Sequence, residues 1–351
     1  EELSQPIGAQ GAALMEVSTG RLLYADHADE QLPMASTTKV MTAIVVLEHA
    51  NLTDVVKVDA RAQGVEGSSI YLEAGEQLTV EELLYGLMLS SGNDAAAALA
   101  YHVSGSIEDF AALMNETAQR IGAEDSHFVN PHGLAADGHY TTAHDLALIA
   151  CYALKNQDFR RIVSTQDTTI AWASRDYDRK IHNKNKFLTQ YEGATGVKIG
   201  YTKNAGRCLV ASAQRDGMEL VAVVLNCPNM FEDAATLMDY GYSNYKPVQV
   251  VDPGMIVGLT QVEHGQQNAV LVETAAPLTL PLKESERFQL DYDLQITPLS
   301  APVDAGESAG AMQVSFEDVT LSVPLQARDD VHALRYQNLL ARMLEDFYLM
   351  P

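Results

Sequence analysis

Cysteine is scarce in this chain: Cys151, Cys208 and Cys227 are the only three among 351 residues, and no two form a Cys-x-x-Cys pair. That excludes a zinc ribbon and a disulfide framework, and an odd count favours free buried thiols. Basic charge is scarce as well, with 23 Lys and Arg against 47 Asp and Glu and a formal charge of −24. Nucleic acid and polyphosphate partners are excluded on that ground, because both need a basic footprint. No apolar run approaches the roughly 20 residues of a spanning helix. A basic segment followed by an apolar core is missing at the start, so any signal peptide is expected to have been removed or never to have existed. His127, His132, His139 and His144 cluster in the chain. They lack His-Glu-x-x-His or comparable ligand spacing, so neither a metal nor a cofactor is expected.

What is present is enough chain for two domains, with an apolar content of 47% that suits a globular protein. Ala12–Val17 and Arg21–Tyr24, separated by Ser18-Thr19-Gly20, predict a hairpin. A helix is expected from Ser36, and a short strand at Val55–Val58. The capping box Thr79-x-x-Glu82 predicts a helix toward Leu89, stopped by the turn cluster Ser90-Ser91-Gly92-Asn93. An alanine-rich helix follows from Asp94, and Ser106-x-x-Asp109 and Thr142-x-x-Asp145 open two more. Beyond Thr168–Trp172 comes a basic patch of Arg175, Arg179, Lys180, Lys184 and Lys186. Gly193–Gly206 is punctuated by glycine and reads as loop and strand edge. Asp216-Gly217 joins Cys208–Ala213 to Leu220–Leu225 as a second hairpin, and a helix over Phe231–Tyr245 closes the region. Strands at both ends of a helical middle predict an α+β domain over residues 1–245 whose terminal strands share one sheet.

From Lys246 the texture changes to short β-prone runs, Val248–Val251, Ala269–Val272, Leu278–Leu280 and Val319–Val323. These predict a small all-β, sandwich-like domain over residues 246–329. Residues 330–351 predict an amphipathic helix, with Tyr336, Leu339, Leu340, Met343, Leu344 and Phe347 on one side. Packing on its own domain is the plain reading. Peripheral membrane association stays open, although acids outnumber Arg335 and Arg342 there.

Ser36-Thr37-Thr38-Lys39 carries the first chemical signal. Residues three apart share a helix face, and a lysine at a helix start opposes the dipole. Buried there, its amine is pushed toward neutrality and can take a proton from a serine hydroxyl. The plain alternative makes Ser36 a helix cap and Lys39 a solvated charge. Two later stretches, Ser91-Gly92-Asn93 and Lys198-Ile199-Gly200, favour the chemistry. Ser-x-x-Lys, Ser-x-Asn and Lys-Thr-Gly, in that order, mark penicillin-binding proteins and serine β-lactamases.

With SGNDAA at Ser91–Ala96, FVNPHGL at Phe128–Leu134, HYTTAHDLALIA at His139–Ala150 and GVKIGYT at Gly196–Thr202, the chain resembles the low-molecular-mass penicillin-binding proteins that are D-alanyl-D-alanine carboxypeptidases. The resemblance covers residues 8–245, and the appended β-domain with a terminal helix matches the family's layout. It implies the penicillin-binding, serine β-lactamase-like transpeptidase fold. It also implies removal of the terminal D-alanine from peptidoglycan pentapeptides through an acyl-serine, and acylation by β-lactams. By the same resemblance Ser36 is the nucleophile and Lys39 its base. Ser91 relays a proton to the departing D-alanine, and Asn93 holds the substrate amide and orients Lys39. Lys198, Ile199, Gly200, Tyr201 and Thr202 form the substrate-binding segment, with Lys198 meeting the terminal carboxylate. Backbone N–H groups of Ser36 and Tyr201 form the oxyanion hole, and Gly200 permits close backbone approach.

Ile199 departs from the family pattern, where a Thr hydroxyl donates to the carboxylate. Losing a donor to a charged group costs about 1.5–3 kcal/mol. That predicts a weaker carboxypeptidase, an altered β-lactam preference or another donor. It also leaves room for a non-catalytic cell-wall-binding protein. A β-lactamase is the other alternative, disfavoured by the missing Glu-x-x-Leu-Asn segment and by the extra domain. The substrate implies an extracytoplasmic location in a bacterial envelope.

Overall fold

The computed structural model describes residues 3–286, 289–317 and 319–334. The chain divides into two compact units between Asn244 and Tyr245. In the first, β1 (Gly11–Glu16) and β2 (Leu22–Asp26) form the expected hairpin. A 3-10 turn at Ala35–Thr38 precedes α1 (Lys39–His49), so the α-helix proper begins at the lysine rather than at Ser36. The short strands β3 (Val55–Lys57) and β4 (Gln77–Thr79) pair. Next, α2 (Val80–Met88) opens on the Thr79/Glu82 capping box, with both reciprocal bonds formed. It is followed by α3 (Asn93–Ser104), α4 (Ile107–Arg120) and α5 (Ala143–Leu154), the last two capped by Ser106 and Thr142 as their spacing predicts. A further helix, α6 (Gln157–Ser164), is capped by Asn156.

The basic patch folds largely into a hairpin of β5 (Asp167–Ile170) and β6 (Arg179–His182), followed by α7 (Phe187–Gln190). Arg179 is not solvated: it is buried against Glu76, with Nη1–Oε1 and Nη2–Oε2 both 2.7 Å. The stretch read as loop and strand edge is a full strand, β7 (Ala194–Thr202). The unit ends with β8 (Gly206–Arg215), β9 (Met218–Leu225) and α8 (Met230–Asn244).

One antiparallel sheet in the order β2-β1-β9-β8-β7 joins the two ends of the unit, through β1 against β9. Both β1 and β9 are buried at every residue, because α5 packs on them from one side and α8 reaches the sheet from the other. The helical half is centred on α3, whose first eight residues are all buried. Its alanines let α1, α2 and α4 approach it closely.

The second unit contains β10 (Lys246–Val251), β11 (Ile256–Glu263), β12 (Ala269–Thr274), β13 (Leu278–Leu282), β14 (Asp291–Ile296), β15 (Leu299–Ser300), β16 (Ser308–Phe316) and β17 (Val319–Ala327). A six-stranded sheet runs β14-β16-β17-β12-β11-β15, beside a β10-β13 ladder. Alternate residues such as Val270, Val272, Met312, Val314, Val323 and Leu325 fill its core. The helix expected over residues 330–351 does not begin at 330. Val331 bridges Val303 and Ala333 bridges Gly265 in extended conformation, and the remainder of that expectation, from 335 on, lies outside the described residues.

Candidate active site

The Ser36 hydroxyl makes no helix cap. It sits in the 3-10 turn, hydrogen-bonded to Lys39 Nζ at 3.0 Å. Lys39 is completely buried, and its Nζ also donates to Asn93 Oδ1 at 2.7 Å and to the His132 carbonyl at 2.6 Å. Neither half of the plain alternative holds. Burial, and then the charge of Lys198, push the Lys39 amine well below its ordinary value, and Lys184 adds to the effect while Asp94 opposes it. A neutral amine has two N–H donors and one lone pair. Of its three hydrogen-bond partners among the described residues, two are carbonyl oxygens that can only accept, so the lone pair falls to the one that carries a proton, the Ser36 hydroxyl.

Ser91 and Asn93 stand at the tight α2–α3 junction, both buried. Ser91 takes a left-handed φ of +63°, which turns the chain sharply before α3. Asn93 is held at three points. Its backbone N–H donates to Ser68 O at 2.7 Å, its Nδ2 to Glu66 O at 2.5 Å, and its Oδ1 accepts from Lys39. The Glu66 carbonyl can only accept, so it fixes which end of the amide faces the lysine. Asp94 ties the same loop down, accepting from Ser69 Oγ at 2.6 Å and from the backbone N–H groups of Ile70 and Leu72 at 3.1 and 3.0 Å. Sequence reasoning missed this loop. Its one local signal is Gly67, at φ +94°, where a Cβ would lie 2.8 Å from Asn93 Nδ2.

The carbonyl of His132 was also missed as an acceptor. Asn130 Oδ1 shapes its turn by accepting from His132 N and Gly133 N at 3.2 and 2.8 Å, and Thr42 Oγ1 donates to Pro131 O at 2.6 Å. Gly133 has φ +87° and would put a Cβ 1.9 Å from Ala35 O, so the turn rests directly on the serine's 3-10 segment. The imidazoles serve structure. His139 Nδ1 accepts from Val129 N at 3.0 Å, which leaves Nε2 to donate to Thr38 Oγ1 at 2.9 Å. Burial lowers His139 to about 4 and His132 to about 3, so both stay neutral.

On β7, Lys198 is buried, its Nζ donating to the Ile199 carbonyl at 3.0 Å. Burial, then the charge of Lys184, lower it to about 7. A Cβ on Gly200 would lie 2.9 Å from Ser36 N and 3.1 Å from Thr37 N, so only glycine lets the strand cross the serine's backbone at this distance. Ile199 is half-buried and the Tyr201 ring is 66% exposed. Thr202 Oγ1 accepts from Ala205 N at 3.0 Å and so shapes the β7–β8 turn. As the end strand of its sheet, β7 offers a free edge to an extended peptide.

The family model described as D-alanyl-D-alanine carboxypeptidase matches residues 2–229. The chain belongs to that family. A second model, penicillin-binding protein 5 C-terminal domain, matches residues 245–333, the β-unit. Among the carboxypeptidase's relatives, D-alanyl-D-alanine carboxypeptidase DacF of Bacillus subtilis is 32% identical, over 97% of this chain and 90% of its own length. DacC of Escherichia coli is also 32% identical, over 87% and 80%. Penicillin binding protein 5 from Haemophilus influenzae superposes with a TM-score of 0.75 at 27% identity, covering 95% of this chain and all of its own. A mutant of the Streptomyces K15 DD-transpeptidase matches 68% of the chain at 35% identity and a TM-score of 0.64.

Proposed function

We propose that this family member is a serine-type D-alanyl-D-alanine carboxypeptidase that trims peptidoglycan pentapeptides through an acyl-Ser36 intermediate and is acylated by β-lactams. One observation carries the reading: a buried Lys39 amine, depressed by burial, whose only proton-bearing hydrogen-bond partner among the described residues is Ser36 Oγ. Lys39 takes the hydroxyl proton as Ser36 attacks the penultimate carbonyl. The developing oxyanion is met by the backbone N–H groups of Ser36 and Tyr201. The Ser91 hydroxyl passes a proton to the departing D-alanine, and water then releases the acyl group. Lys198 receives the terminal carboxylate, and Asn93 holds the substrate amide. The Thr202 hydroxyl, which accepts from Ala205 N, supports the end of the binding edge.

Ile199 supports slow rather than absent turnover, because it removes one hydroxyl donor and leaves the rest of the constellation standing. Family members act on peptidoglycan in the cell envelope, and from that substrate we infer an extracytoplasmic site of action at the outer face of the cytoplasmic membrane. No helix among the described residues is long and apolar enough to cross a membrane. Peripheral attachment through residues 330–351 belongs to the same proposal.

Intact mass after penicillin should rise by one adduct that persists, and Ser36→Ala should abolish it. D-Alanine should be released from a diacyl-D-Ala-D-Ala peptide. Rapid loss of the adduct would favour a β-lactamase, and peptide binding without release a scaffold.

A further inference from the structure

Sheet edges leave main-chain N–H and C=O groups unpaired, and folds commonly blunt them with short strands, bulges, proline or charged side chains. The six-stranded sheet of the second unit has two such ends. At one, β15 is only two residues long. At the other, β14 spans six residues, Asp291–Ile296, with no proline among them. Its register with β16 continues from Asp291 opposite Ser315 to Ile296 opposite Gly310 without a bulge. Among the described residues β14 pairs with β16 alone, and five of its six residues are exposed. Its outer main-chain edge is therefore open to another strand.

The two faces of this strand differ in chemistry. Residues directly opposite in an antiparallel pair share a face. Tyr292 lies opposite Val314 and Leu294 opposite Met312, and both partners belong to the buried core. Tyr292 and Leu294 thus stand on the core side of the sheet, yet they are 50% and 42% exposed. Two large apolar side chains carry the inner layer past the last strand and leave it uncovered there. On the other face Asp291 lies opposite Ser315 and Asp293 opposite Gln313. Gln295 Nε2 donates to Asp293 Oδ2 at 3.3 Å, a neutral contact that leaves the charge in place. Neither β16 nor β17 contains a Lys or an Arg, so no cation on these strands balances the two carboxylates.

A second copy of the chain completes this edge poorly. Antiparallel self-pairing centred on Tyr292 sets Asp291 opposite Asp293, and pairing centred on Asp293 sets that carboxylate opposite itself. Like charges directly opposite destabilise a strand pair, and a chain of formal charge −24 repels its copy. The carboxylates that keep copies apart select a partner of opposite charge. A strand with basic residues at alternate positions meets Asp291 and Asp293 on one face, while the apolar residues between them cover Tyr292 and Leu294 on the other.

We propose that β14 is a docking edge for an extended, basic segment of a partner protein, which adds to the sheet as a further strand. Main-chain hydrogen bonds hold the segment, and its alternating cationic and aliphatic side chains are read by the two faces. The edge uses no residue of the first unit and is independent of the carboxypeptidase reading.

The test measures fluorescence anisotropy of labelled, end-capped peptides with the full chain at about 0.15 M salt, where long-range attraction to the acidic surface is screened. The probe is Lys-Val-Lys-Ile-Lys-Val, and a second peptide carries Glu at each Lys. In a strand the N–H groups of alternate residues leave by the same edge. N-methylation of the Lys amides therefore blocks one edge of the probe, and N-methylation of the Val and Ile amides blocks the other. The probe should bind saturably, and the Glu peptide at least about tenfold more weakly. One methylated form should lose at least about tenfold in affinity and the other should stay within about threefold of the parent. Hydrogen exchange at residues 291–296 should slow on binding. Asp291→Lys together with Asp293→Lys should reverse the preference in favour of the Glu peptide, with thermal unfolding unchanged. Equal binding of both methylated forms would mean adhesion to charge rather than strand addition, and would overturn the proposal. So would a preference that survives the charge reversal, protection confined to other residues, or a dimer of the free chain formed through this strand. The methylated pair decides the matter on the unaltered chain even where the double variant fails to fold.

Discussion

Lys198 gives the proposed reaction a pH signature that can be worked out from its burial. Its ammonium must be charged to receive a carboxylate, and in the free protein burial brings it to about 7. A lysine loses its charge as pH rises through that value, so the charged fraction falls about tenfold for each unit above it. The profile of kcat/KM reports free-enzyme groups. For a peptide ending in D-alanine it should therefore fall roughly 50-fold between pH 7 and 9, since half the amine is already neutral at 7. At saturation the bound carboxylate favours the charged amine, so kcat should stay flat further into alkali. The acid limb belongs to Lys39, which must be neutral and is pushed well below the ordinary lysine value. Lys198→Arg keeps its charge throughout and should remove the alkaline limb even if its absolute rate drops. A substrate amidated at its C-terminus should lack the limb altogether. Initial rates of D-alanine release across pH 5–10 decide the matter. A flat kcat/KM above 7, or a limb that survives Lys198→Arg, would refute the assignment of carboxylate binding to this amine.

Three substitutions probe the remaining parts. Ile199→Thr restores a hydroxyl beside Lys198 at a half-buried position and should raise kcat/KM ten- to hundredfold, the equivalent of about 1.5–3 kcal/mol; an equal gain on the C-terminally amidated substrate would exclude a contact to the carboxylate. Gly200→Ala forces a Cβ to within 2.9 Å of Ser36 N, and the backbone shift should slow acylation by fluorescent penicillin at least about 100-fold, with far-UV circular dichroism preserved. Glu76→Gln leaves the buried Arg179 guanidinium without its carboxylate and should cost about 3–5 kcal/mol in urea unfolding, whereas a cost under about 1 kcal/mol would show that the pair does not hold the loop that positions Asn93.

Local chemistry was legible in the sequence where the structure depends on local chemistry. The Thr79/Glu82 box, the Ser106 and Thr142 caps and the Asp216-Gly217 turn, with φ of +49° and +80°, all involve partners a few residues apart. Misreadings fall where the deciding partner is distant. Arg179 reads only as part of a basic patch until Glu76 arrives from 103 residues away. The glycines of β7 read as loop because their reasons lie elsewhere: Gly196 gives way to Val163 and Gly200 to Ser36. Strand β14, Asp291–Ile296, carries almost no burial signal because it is a sheet edge, exposed at five of its six residues.

The candidate site divides along the same line. Its side chains could be found by motif, since Ser36, Lys39, Ser91, Asn93 and Lys198 are residue types at recognisable spacing. What would make Lys39 a directed base in the proposed reaction could not, because two carbonyl oxygens do it. The His132 carbonyl takes one N–H of the amine directly. The Glu66 carbonyl takes Asn93 Nδ2 and so turns Oδ1 to take another. Replace either oxygen by a donor and the lone pair has two possible targets; remove both and the amine regains freedom to point away from Ser36. Backbone oxygens are identical in every residue, so no motif can mark them. Their placement is legible only indirectly, in the residues that bend the chain to present them: Asn130 and Gly133 around His132, and Gly67 and Asp94 around Glu66. The unusual lysine at the start of α1 therefore depends on two loops that carry no catalytic side chain of their own.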